Sequence, residues 1–91
     1  MARTPVARRD PRHALAIYER HLAIARQAGD ARAEAVTLWH ASQALAALGE
    51  RPRAIAYAQA ALALAAWLQA EEIARVEADL ARWRAAGDGS V

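Results

Sequence analysis

Apolar residues recur at helical spacing along most of the chain. In the first segment Leu15, Tyr18, Leu22 and Ala25 fall on one face, and Ile17 and Ile24 widen it. Polar groups alternate with them at Arg12/His13, Glu19/Arg20 and Arg26/Gln27. Asp10-Pro11 suits the start of this helix, since Asp caps the first free N–H groups and proline has none to lose. Gly29 suits a left-handed C-terminal cap, so the helix should end near Ala28.

Asp30 then caps a second helix whose stripe is Leu38, Ala41, Leu45 and Leu48, with Ser42 alongside, and Gly49 ends it. Glu50 and Pro52 open a third helix, in which Ile55, Leu62 and Leu64 sit among alanines. A fourth runs from Glu71, with Ile73, Val76, Leu80 and Trp83 as its apolar stripe and Glu71–Arg75 as a favourable i,i+4 pair. Gly87 should close it. No Gly or Pro lies between Arg53 and Ala86, so periodicity alone allows one long helix there. The change from a charge-free run to a charged one places a bend near Gln69 to Glu71. The expected organisation is a basic arm over 1–10 without fixed structure, a helical domain over 11–87 and a frayed tail over 88–91.

Composition narrows the class. In 91 residues, 56% are hydrophobic but only 5% aromatic, with no Phe, so alanine supplies most of the apolar count. With no Cys, disulfides, thiol catalysis and Cys-based zinc sites are excluded. Few Gly and Pro and a heavy Ala, Arg, Glu and Leu load indicate an all-α chain. All 12 basic residues are arginine, which suits bidentate contacts to carboxylate or phosphate and equally suits a GC-rich coding bias. The formal charge is +2, and the excess sits in the arm at Arg3, Arg8, Arg9 and Arg12. The charge-free run Ala54–Ala70 reaches the short end of a membrane span, but it is mostly alanine with Gln59 and Gln69 inside, which points to a buried helix. The first ten residues lack an apolar secretory core, so a cytoplasmic location is expected.

The chain also repeats itself. An offset of forty aligns ALAIYERHLAIA (14–25) with AIAYAQAALALA (54–65), with Leu22/Leu62 identical and Leu15/Ile55 and Ile24/Leu64 near matches. With YERHLAIARQAGD (18–30) and ALAALGERPRAIAYAQAALALA (44–65), this resembles the tetratricopeptide repeat family in its long-helix, forty-residue form. By that resemblance Leu38, Ala41, Ser42 and Leu45 fill the first-helix positions, Gly49-Glu50 the turn, and Ala54 and Ala61 the paired small positions where helices cross closely. Arg51 replaces the usual aromatic after the turn, His21 stands where alanine is expected, and the fourth helix departs enough to suggest a cap. The implied architecture is a short α-solenoid of about four helices in stacked antiparallel hairpins. With one complete repeat, it should be part of a longer array or self-associate to cover its ends.

The same resemblance assigns Trp39, His40, Gln43 and Val36 of the second helix to a concave face that docks an extended peptide or a partner helix. Trp39 beside polar groups can be a binding anchor, or it can pack on helix one or four. The basic and asparagine side chains of the family's chaperone-tail clamp are missing. His40 with Glu34 or Asp79 has no spacing that supports an acid–base or metal pair, and no phosphate loop, HExxH pattern or nucleophile elbow occurs. Trp83 lies on the fourth helix's stripe and is expected in the core, and Trp67 is expected to line it. The expected function is a protein–protein interaction module with no cofactor, no metal and no enzymatic activity. The second reading is a nucleic-acid accessory protein acting through its arginine arm.

Overall fold

A computed structural model describes residues 10–89. They form α1 (Pro11–Ala28), α2 (Ala31–Ala47), α3 (Arg51–Ala63), a 3₁₀ turn (Ala65–Trp67) and α4 (Ala70–Gly89). The fold is all-α, as the periodicity indicates. The expected features of residues 1–9, 90 and 91 lie outside the described residues.

The helix ends follow from local chemistry. The Asp10 carboxylate accepts the Arg12 N–H at 3.0 Å, and Asp30 accepts the Ala33 N–H at 3.0 Å. Gly29 and Gly49 take left-handed φ values of 69° and 81°. At each, two bonds close the helix. Gly29 and Asp30 donate to the carbonyls of Arg26 and Ala25, and Gly49 and Glu50 donate to those of Ala46 and Leu45. The resulting connections are so short that consecutive helices must fold back on each other.

The third junction differs from the sequence expectation. The chain leaves α3 at Leu64, passes through the 3₁₀ turn and an extended Leu68 (φ −110°, ψ 153°), and resumes helix at Ala70. The bend therefore spans 64–69 rather than 69–71. Glu72, not Glu71, is the engaged glutamate of the first turn: its carboxylate accepts the Gln69 N–H at 2.8 Å, which satisfies the donor that opens α4. At the other end α4 continues past Gly87 to Gly89.

Each helix packs mainly on its neighbours in sequence, and α2 and α3 share the broadest contact. Alternate helices lie side by side. Arg53 of α3 reaches Glu19 of α1 at 3.4 Å, and Arg32 of α2 reaches Glu72 of α4 at 2.7 Å. The molecule measures 39 × 37 × 21 Å, and its short dimension is about two helix diameters. Antiparallel hairpins thus stack in two layers.

One core joins the layers. It contains Leu22 of α1, Leu38, Trp39 and Leu45 of α2, Ala54, Ala58 and Ala61 of α3, and Val76, Leu80 and Trp83 of α4. Ala41, Ser42, Leu45, Ala54, Ala58 and Ala61 are fully buried, as expected of small residues where helices cross. The Ser42 hydroxyl donates to the Trp39 carbonyl of its own helix, so its burial leaves no polar atom without a partner. His21, at the repeat position of Ala61, is exposed, so an imidazole is accommodated there without burial. Ile24 and Trp67 are corrections to the expected core: they are 61% and 54% exposed.

Candidate functional site

Every residue assigned to the docking face lies on α2, the helix flanked by α1, α3 and α4. Val36 and His40 are half-buried and Gln43 is exposed. Trp39 is only 8% exposed, so its ring belongs to the core and is no free anchor. Of the two packing alternatives, the indole takes the fourth helix: its Nε1–H donates to Asp79 Oδ2 at 3.3 Å.

Asp79 organises this region. It is 8% exposed and accepts from three side chains. Trp39 and the Gln43 amide, the latter at 3.2 Å, share Oδ2. Arg82, one turn along α4, holds Oδ1 at 2.8 Å. A buried carboxylate is tolerated only when such donors replace its water. From the sequence, Asp79 stands out only as a residue that could be drawn to His40. In the structure it faces Trp39 and Gln43, and Glu34 pairs with Arg26 at 3.1 Å.

A second tie lies seven residues towards the start of both helices. Arg32 donates two bonds to Glu72, at 2.7 and 3.1 Å, and one to the Trp67 carbonyl at 3.0 Å. The pairs Arg32–Glu72 and Trp39–Asp79 are both separated by forty residues. Two ties with equal spacing on each helix require α2 and α4 to run parallel in fixed register. That separation equals the repeat offset, and a search for complementary pairs forty apart would have found both.

His40 sits beside Tyr18 of α1 and within reach of the charge of Glu72 on α4. Its ring centroid is 5.6 Å from that of Tyr18 and 5.3 Å from that of Trp39, both tilted. Burial pushes the imidazole below its usual pKa, and the negative charge of Glu72 partly opposes this. Glu72 itself is held at about 2 by the Arg32 guanidinium and the Gln69 N–H. Its carboxylate therefore stays charged throughout the neutral range.

The chemistry available here is recognition. Val36 offers apolar surface, His40 a neutral imidazole and Gln43 the amide oxygen left over from its bond to Asp79. Among the described residues no group of three or more His, Asp and Glu is placed to hold a metal ion. No helix is long and apolar enough to cross a membrane among the described residues. Comparison with protein-family models, curated proteins and solved structures finds no match.

Two predictions follow from these bonds. Asp79→Ala leaves the buried indole N–H without its acceptor and should lower unfolding free energy by about 1–3 kcal/mol in urea titrations followed by tryptophan fluorescence. An unchanged midpoint would show that the network adds nothing. The pH dependence should have two windows. The folded His40 pKa lies below the unfolded value of about 6.5, so its neutral-form stability is present above pH 6.5 and falls as pH drops below it. The Glu72 contribution is present above its unfolded pKa, near 4.5, and is lost as pH falls towards about 2. Thermal melts of wild type and His40→Gln should therefore diverge in slope below pH 6.5 and run parallel above it.

Proposed function

We propose that this chain is a cytoplasmic protein–protein interaction module, in the manner of a tetratricopeptide segment. It holds a peptide or a partner helix on the face formed by Val36, His40 and Gln43 in the middle of α2, taken as a shallow trough, and its role is binding rather than catalysis. The observation that supports this reading is the pair of ties from α2 to α4. They fix one wall of the trough before a partner arrives, and Tyr18 of α1 stands on the other side of His40. A preformed surface spares a partner the cost of ordering it.

Within that reading the four assigned residues have different roles. Val36, His40 and Gln43 meet the partner. Trp39 lies beneath them and sets the spacing between α2 and α4 through its bond to Asp79. Replacing Trp39 would disturb the fold, so it is a poor probe of binding.

The test is affinity capture from an extract of the source cells with wild type and Val36→Arg plus Gln43→Arg. Circular dichroism should show equal helicity for both. The double variant should lose the proteins that wild type retains. Recovery of the same proteins at the same yield would remove the trough as the binding surface.

A further inference from the structure

The connection from α3 to α4 contains no glycine or proline to set its course, yet it is held at a single point. Arg32 of α2 donates through one terminal nitrogen to the Trp67 carbonyl at 3.0 Å and to Glu72 Oε1 at 2.7 Å. Its other terminal nitrogen donates to Glu72 Oε2 at 3.1 Å. The same Glu72 Oε1 accepts the Gln69 N–H at 2.8 Å. The end of the 3₁₀ turn, the extended joint that follows it and the first turn of α4 therefore converge on one guanidinium. Only the planar fork of arginine can bridge a carbonyl and both oxygens of a carboxylate at once.

α4 is otherwise lightly embedded. Val76, Asp79, Leu80 and Trp83 are buried, while Ala74, Ala78, Ala81 and Ala85 of its outer side are exposed. Its contact with α3 is narrower than that of α1 with α2 or of α2 with α3. Its remaining link to α2 is the set of bonds at Asp79, and two of the donors there, Gln43 and Arg82, stand at the surface. A helix joined by a narrow apolar seam and by polar bonds at the edge of solvent can leave while the rest of the core stays closed.

We propose that Arg32 is a latch, and that α4 and the 64–69 connection swing off α2 as one unit when that latch is lost. The opening carries Asp79 away from Trp39 and Gln43 and brings the Trp39 indole into water. The α4 wall beside Val36, His40 and Gln43 is then a movable part whose position Arg32 controls. The device belongs to the free chain and stands whether or not that face binds a partner.

Native-state hydrogen exchange of the full chain, with Arg32→Ala, Arg32→Lys and Leu45→Ala beside wild type, tests it. The Arg32 side chain is 47% exposed, so its truncation leaves no buried gap and circular dichroism should show unchanged helicity. Arg32→Ala should speed exchange over 70–86 by roughly tenfold, as expected for lost hydrogen bonds to a charged group, and leave Leu38–Leu45 and Ala58–Ala61 at the wild-type rate. Arg32→Lys keeps the charge without the fork and should still speed 70–86 severalfold. Leu45→Ala cuts into the shared core and should speed all four helices. An Arg32→Ala chain that exchanges over 70–86 like wild type, or that speeds all helices alike, would overturn the latch, as would wild-type rates in Arg32→Lys.

Discussion

The close approach of α2 and α3 sets the limits for everything else in this molecule. A chain with 5% aromatic residues and no Phe cannot fill a wide space between helices. Its helices must therefore come close, and the fully buried Ala41, Ser42, Ala54, Ala58 and Ala61 allow it. Each alanine removes little surface from water, but dense contact recovers many small dispersion gains. The larger core groups, among them Leu38, Trp39, Leu45, Val76, Leu80 and Trp83, pack around these small positions. The two left-handed glycines matter for the same reason, because Gly29 and Gly49 turn the chain back within the space of a few residues.

The fourth helix is held differently. It has an apolar stripe of Val76, Leu80 and Trp83, yet its register against α2 is set by polar groups. Glu72 takes Arg32 and Asp79 takes Trp39 and Gln43, so two carboxylates on one helix read four donors presented by α2 and Arg82. Such bonds are directional in a way that alanine contacts are not. An apolar face could slide by a turn at modest cost, whereas a slide here would strand a buried carboxylate. Two of these groups, Trp39 and Glu72, also neighbour His40, which couples the stability of the proposed docking face to pH.

Local signals were legible in the sequence. Asp10, Asp30, Gly29 and Gly49 mark helix ends through bonds within a few residues, and the stripes Leu38/Ala41/Leu45 and Val76/Leu80/Trp83 mark buried faces through periodicity. What escaped depends on contacts between distant residues. The break over 64–69 contains neither Gly nor Pro, and Arg32, more than thirty residues away, holds it in place. Trp39 read either as a surface anchor or as a ring packed on helix one or four, because its neighbours His40 and Gln43 are polar and the partner that decides between the two, Asp79, is forty residues on. Ile24 followed the apolar pattern of α1 and still faces solvent, at the open groove between α1 and α2. The candidate site was thus legible as a stretch of α2, and its depth was not.

Native-state hydrogen exchange tests the central claim most directly, because it reads the stability of each helix separately. If close packing of α2 on α3 supports the rest, the slowest amides will lie around Leu38–Leu45 of α2 and Ala58–Ala61 of α3, with α1 and α4 opening at lower free energy. Slowest exchange in α1 or α4, or even protection across all the helices, would contradict it.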